Sequence, residues 1–247
     1  MKKIILLLLL LFASNIFAST EYPSGKYIME QIDKNLTSTS RVVTSTMVIR
    51  SRRGTRRITA KTWAIGQDKS FSEYLSPARE KGTKMLKLGD KLWTYTPMAD
   101  RIITIAGHML RQSVMGSDLS YEDFMNEDKL KDVYNATVIG EEIVSSRNCY
   151  VLKLTANTSG LAYHSRKIWV DMERFLPLKT ERFAKSGKLL KTSSIPDVFK
   201  VGERWYPKRM VFKDVLKIGK GTELIVDRIE FDVEVPEHLF SKAGLRK

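Results

Sequence analysis

The sequence predicts a mainly β protein: one large curved antiparallel sheet or barrel, preceded by a helix and interrupted once by short helices. Three observations predict it. Runs of alternating apolar and polar residues, separated by turn residues, recur along nearly the whole chain, which is the signature of an antiparallel meander. The alternation breaks once, at residues 107–126, and one helically spaced stretch precedes it. No linker, low-complexity tract or fixed-period repeat divides the chain, so about a dozen strands belong to one sheet system.

The elements follow in order. "MKKIILLLLLLFASNIFAST" has Lys2 and Lys3, then an apolar run from Ile4 to Phe12, then small residues before a cut after Ala18. That is a cleaved export signal, because the run is far shorter than the roughly 20 residues that span a bilayer. The expected organisation is a signal peptide over 1–18 and a single domain over 19–247. With no cysteine beside the cut, no lipid anchor is expected, and the mature chain should be periplasmic in a host with two membranes. In "SGKYIMEQIDKNL" (24–36), Tyr27, Ile28, Ile32 and Leu36 share a helical face and Ser24 is a candidate N-cap. The period then changes to two through "RVVTSTMVIRS", "RRITAKTWAIG", "KSFSEYLSP", "TKMLKLGD" and "KLWTYTP". In the hairpin "KLWTYTPMADRIITI", Trp93 and Tyr95 share one face, as do Ile103 and Ile105 on the return strand.

Residues 107–126 predict two short helices. Met109, Leu110, Val114 and Met115 form an amphipathic turn ended by Gly116, and Ser120 with Asp123 resembles a capping box. Strands resume with "ATVIGEEIV", "NCYVLKLTAN", "RKIWVDM", "PLKTERFAKSG", "LKTSSIPDVFKVG", "RWYPKRMVFKDVLK" and "TELIVDRIEFDVEV", and "VPEHLFSK" reads as one helical turn opened by Pro236.

Charge and cysteine narrow the function. The formal net charge is +14, and losing Lys2 and Lys3 with the leader lowers it by two. An exported basic protein meets little nucleic acid, so anionic headgroups or acidic partner surfaces are the expected counterparts. Cys149 is the single cysteine and reads as a buried strand residue. Enzyme signatures are missing. His108, His164 and His238 are scattered, no paired cysteine exists, and there is no G-x-S-x-G, P-loop or G-x-G-x-x-G. The carboxylates at 141–142 and in "YEDFMNED" read as solvated strand edges and helix surfaces. No enzyme, metal or cofactor is expected.

Two features remain. "RSRRGTRR" concentrates Arg50, Arg52, Arg53, Arg56 and Arg57 around Gly54. It is either a solvated hairpin end guarding a strand edge or a docking tip for anionic lipid or an acidic partner, with Arg52, Arg53, Arg56 and Arg57 as the candidates. Trp63, Trp93, Trp169 and Trp205 all fall in predicted strands, and the helical interruption carries Met109, Met115 and Met125. Methionine-rich apolar surface suits varied ligands.

"GDKLWTYTPMADRIITI" followed by "QSVMGSDLSYEDFM" resembles the outer-membrane lipoprotein-sorting-like proteins, relatives of the lipoprotein carrier LolA. "SPAREKGTKMLKLGD", "RKIWVDMERFLPLKTERF" and "VPEHLFSK" extend the resemblance over the mature chain. It implies a half-open antiparallel β-barrel whose concave apolar face, lidded by helices, accepts acyl chains of lipids or lipoproteins. The candidates for the acyl cavity and lid are then Trp63, Trp93, Tyr95, Ile103, Ile105, Met109, Leu110, Met115, Phe124 and Trp169. The implied role is a periplasmic carrier or chaperone for envelope transport, working with an inner-membrane transporter or an outer-membrane acceptor. The alternative is a sensor or accessory subunit docked on a membrane regulator or a lipid-export permease. For "GSDLSYED" the resemblance suggests helix capping and lid placement and nothing finer.

Overall fold

The computed structural model describes residues 22–51, 54–125 and 130–246. The predicted signal peptide and two of the candidate arginines, Arg52 and Arg53, lie outside the described residues. Helix α1 (Gly25–Leu36) begins where the Ser24 hydroxyl accepts a hydrogen bond from the Tyr27 amide at 3.2 Å, satisfying one open donor of the first turn. Its Ile28, Met29 and Ile32 are buried.

Two meanders follow. The first is β1 (Ser40–Ser51), β2 (Gly54–Ile65), β3 (Lys69–Ser76), β4 (Lys84–Leu88), β5 (Lys91–Thr96) and β6 (Arg101–Ile105). The second is β7 (Tyr134–Val144), β8 (Arg147–Ala156), β9 (Ser165–Asp171), β10 (Pro177–Phe183), β11 (Leu189–Val201), β12 (Arg204–Asp214) and β13 (Thr222–Phe231). Every neighbouring pair is antiparallel, and β1 pairs with β13, which joins the meanders into one 13-stranded sheet. The outer edges are therefore β6 and β7. Residues 106–133 connect those two edges, so the break in alternation becomes the bridge across the open side. Pro196 is accommodated inside β11 because the register with β12 shifts around it, sparing a ladder position that needs an N–H.

Register assigns the faces, since residues opposite one another across a ladder share a side. Val42, Trp63, Phe71, Leu86 and Trp93 are successive partners across β1–β5. They line the outer face and are covered by Val235, Leu239, Phe240 and Leu245 of the C-terminal segment. The opposite ladder, Val43, Thr62, Ser72, Met85, Thr94 and Ile103, lines the inner face. At the other end of the sheet α1 packs on Tyr134, Leu152, Leu154, Ile168 and Val170 of β7–β9. Each apolar side chain fully buried there contributes roughly 1.5–3 kcal/mol.

The interruption differs from its predicted form. Residues 107–111 and 114–116 are short 3-10 turns, and the α2 helix spans Tyr121–Met125, followed by α3 (Leu130–Val133). Met115 and Gly116 both have positive φ, 52° and 71°, which stops a right-handed helix at that point. The C-terminal turn is Glu237–Leu239, with Pro236 capping it from outside. No helix among the described residues is long and apolar enough to cross a membrane.

Candidate functional site

Between the curled sheet, α1 and the bridging segment lies a cavity of about 450 Å³, within the ~300–1,000 Å³ typical of ligand pockets. Its apolar wall comes from alternate residues of the first meander: Met47 (β1), Ile58 (β2), Tyr74 (β3), Met85 (β4) and Leu92 (β5). Leu119 and Phe124 close it from the bridging segment. Arg166 of β9 and Arg182 of β10 stand on the wall opposite, with Tyr163 beside them.

The bridging segment is a lid with an apolar underside. Met109, Leu110, Met115, Tyr121, Phe124 and Met125 pack on a cluster that includes Met47, Tyr74, Leu92 and Ile105. Polar bonds then fix it to both halves of the sheet. The Asp118 carboxylate accepts from the Thr222 hydroxyl at 2.8 Å and from the Asp214 amide at 3.0 Å, while the Asp118 amide donates to Thr222 at 2.9 Å. Thr222 is fully buried. Lys217 donates to the Ser113 hydroxyl and the Ser117 carbonyl. On the first-meander side, Lys87 donates to the Met125 carbonyl at 3.0 Å and Arg56 to the Met115 carbonyl at 2.5 Å.

Asp123 is the centre of the lid's second anchor. It pairs with Lys191 of β11 and accepts from the Ser120 amide, the Ser120 hydroxyl and the Tyr163 hydroxyl at 2.7, 2.8 and 2.5 Å. Burial by itself would raise this carboxyl, but the Lys191 charge and these hydrogen bonds hold it below the ordinary carboxylate range. The adjacent Glu122 is raised, by burial and then by repulsion from Asp123. Burial also raises the Tyr163 phenol, helped by the neighbouring Asp123 charge. Ser117, Asp118, Ser120 and Asp123 thus give "GSDLSYED" a specific job, bolting the lid to β11–β13. Asp123 is accordingly no solvated surface carboxylate. Nor is Glu142 idle, since it accepts from the Trp169 indole at 2.6 Å.

The candidate residues divide by strand parity. Phe124 lines the cavity, and Ile105 is buried in the cluster under the lid. Met109, Leu110 and Met115 lie on the lid's packed underside. Trp63, Trp93 and Tyr95 do not reach the cavity. They belong to the outer cluster beneath the C-terminal segment, because Trp93 and Tyr95 alternate with the inward Leu92 and Thr94. Trp169 is likewise turned away, alternating with the cavity residue Ile168 and flanked by Lys167 and Lys179 over its ring at 4.5 and 3.9 Å. Ile103 is on the inner side but on edge strand β6, where it is 44% exposed. Arg56 and Arg57 are both exposed at the β1–β2 tip, with Arg56 bonded to the lid.

Residue size obscured the parity of "KLWTYT": its bulky face is the outer one, and the inner side takes the smaller Leu92, which lines the cavity, and Thr94. Pairing Leu92 with Ile105 across the hairpin was the available signal. Arg166 and Arg182 were masked in the same way, since "RKIWVDM" and "PLKTERF" draw the eye to Trp169 and Phe183.

A curled antiparallel sheet with an internal helix and a lidded interior defines the LolA-like fold, and solved structures agree. The chain is similar to a DUF1329 family protein from Desulfovibrio piger, with 25% identity over 90% of this chain and 97% of that one, at TM-score 0.82. It is similar in fold to an outer membrane lipoprotein-sorting protein domain from Vibrio parahaemolyticus (21% identity, 90% and 98% covered, TM-score 0.78). A LolA superfamily protein from Nitrosomonas europaea also shares the fold (23% identity, 90% and 100% covered, TM-score 0.75). No curated relative matches the sequence. Residues 66–247 match the model of a family described as "Uncharacterized protein"-like, and the chain belongs to that family.

Proposed function

We infer that the protein is a periplasmic carrier that shelters acyl chains of lipids or lipoproteins while they cross the envelope. The observation that carries this reading is a lidded cavity with an apolar wall built from both the sheet and the lid. Each CH₂ removed from water contributes about 0.8 kcal/mol, so a chain alone faces a large barrier to crossing an aqueous gap. A wall of Met47, Ile58, Met85, Leu92 and Phe124 replaces that water, and the flexible methionines tolerate chains of differing shape. Delivery requires the lid to release, and its anchors are polar groups that a charged surface or partner can compete for.

The lid end of the barrel also suits docking. The β12–β13 turn exposes Leu216 and Ile218, 66% and 83% accessible, and it lies beside the arginine-rich β1–β2 tip: a Cβ on Gly219 would stand 3.7 Å from the Arg50 carbonyl. Two exposed aliphatic residues next to a basic tip fit an anionic membrane surface. Native mass spectrometry of gently purified mature protein tests the carrier reading. Co-purified lipid or acyl mass supports it; a consistently empty protein that also fails to bind a fluorescent acyl probe would sink it.

A further inference from the structure

The cavity is not uniformly apolar, and its polar corner is unbalanced in charge. Arg166 and Arg182 are direct cross-strand partners on the inner face, and like charges in that relation repel. Arg166 donates through Nε to the Tyr134 hydroxyl at 3.1 Å, and Arg182 through one Nη to the Ser193 hydroxyl at 3.0 Å. Among the described residues no carboxylate lies within ion-pair distance of either guanidinium. Asp123, which lines the cavity beside Tyr163, is already paired with Lys191. Aromatic rings provide partial compensation: Arg166 lies 4.9 Å from the Tyr134 ring and 5.6 Å from that of Tyr163, and Arg182 lies 5.9 Å from Tyr163.

Each guanidinium carries five N–H donors in a planar fork, and among the described residues each makes one side-chain hydrogen bond, Arg166 to Tyr134 and Arg182 to Ser193. Burial, and then Arg166, lower the Arg182 guanidinium to about 10, still protonated at neutral pH. The corner therefore sets two guanidinium groups without a carboxylate partner beside the Lys191–Asp123 pair, and it opens onto a space whose other wall carries Met47, Ile58, Met85 and Leu92. A neutral acyl ligand would leave this excess in place.

We propose that the Arg166–Arg182 pair is an anion subsite, and that the cavity takes a single amphiphile with a phosphate or carboxylate head on the two arginines and its chain along the β1–β5 wall. This rests on the carrier reading and narrows its cargo to anionic lipids. The forked donors match an anion's oxygens bidentately, the strong form of charge-assisted hydrogen bond. The head would relieve the cross-strand repulsion, and the chain would displace water from the apolar wall.

The test uses the full mature chain and chain-matched probes: lysophosphatidic acid, a fatty acid, the neutral monoacylglycerol and inorganic phosphate. Wild type should bind the two anionic amphiphiles at least tenfold more tightly than the neutral one. In the Arg166→Gln/Arg182→Gln variant the affinities for anionic and neutral probes should converge, and Arg182→Lys should keep part of the preference. Equal affinity for anionic and neutral probes in wild type overturns the subsite but leaves the carrier standing, and it needs no variant to fold. Inorganic phosphate that binds as tightly as lysophosphatidic acid also overturns it, since the chain would then contribute nothing. Failure of every acyl probe overturns the carrier reading itself.

Discussion

Replacing Asp123 with asparagine removes one carboxylate charge from the lid anchor at nearly constant shape. Breaking one side of a buried ion pair costs about 3–5 kcal/mol. Lys191 and Asp123 are 13% and 12% exposed, so the low end, about 3 kcal/mol, applies. Because the anchor joins lid to sheet, that loss falls on lid opening, where it raises the open population roughly a hundredfold. Amide hydrogen exchange reads this directly. The Val114, Ser117 and Tyr121 amides are bonded within the lid segment, to the carbonyls of Leu119, Val114 and Gln112. They should lose protection together, while Ile28 and Ile32 of α1 remain as in wild type. Adding Lys191→Met to Asp123→Asn should restore much of the protection, because no unpaired charge is left behind. The pH dependence has a definite sign. The folded-state carboxyl is depressed, so the anchor's contribution is full above the unfolded value of about 3.9 and is lost as pH falls through the lower folded value. Lid amides that exchange at the wild-type rate in Asp123→Asn would refute the reasoning.

Three further outcomes follow from placement. Trp93→Ala should cost about 3–5 kcal/mol in chemical denaturation while folded protein keeps its acyl-probe affinity, because Trp93 packs in the outer cluster. A selective loss of probe binding would put its ring in the cavity after all. Ile103→Glu, on an exposed edge position, should change stability by no more than about 0.5 kcal/mol and leave probe affinity unaltered; a sharp fall in either measurement counts against that position. Leu216→Ser/Ile218→Ser with Arg57→Gln should reduce cosedimentation with anionic vesicles at low salt without moving the thermal midpoint, and the wild-type binding should fade as salt rises. Equal vesicle binding by the variant would leave the rim as a solvated turn.

The curved sheet, its two meanders and the single break were legible because alternation and turn residues are local signals. The Ser24 cap and the apolar face of α1 were legible for the same reason. What could not be read was the side of the sheet each bulky residue would take. Parity within one strand is visible in "KLWTYT", but which parity faces inward is fixed by what covers the other side. Here that is the C-terminal segment, more than 130 residues further along the chain. The lid anchors are hidden still more thoroughly: Asp118 meets Thr222 and Asp123 meets Lys191 across the open side, and no spacing rule links them.

That division of faces bears on how a protein can keep an unfilled interior. A cavity lined by apolar groups forfeits packing that an ordinary core would have, and cavity-forming substitutions in closed cores cost several kcal/mol each. Two packed regions offset this. The outer ladder of Trp63, Phe71, Leu86 and Trp93 closes under Phe240 and Leu245, and α1 seals β7–β9 with Ile28, Met29 and Ile32. Both lie away from the wall formed by Met47, Ile58, Met85 and Leu92. The first meander is thus a shared partition, with tryptophans on the side packed under the C-terminal segment and slimmer, more flexible side chains on the side that lines the cavity. Exchanging the two sides would place rigid rings in the cavity and leave the C-terminal segment without an anchor. The aromatic hairpin that first suggests a ligand wall is therefore what allows the opposite face to stay open.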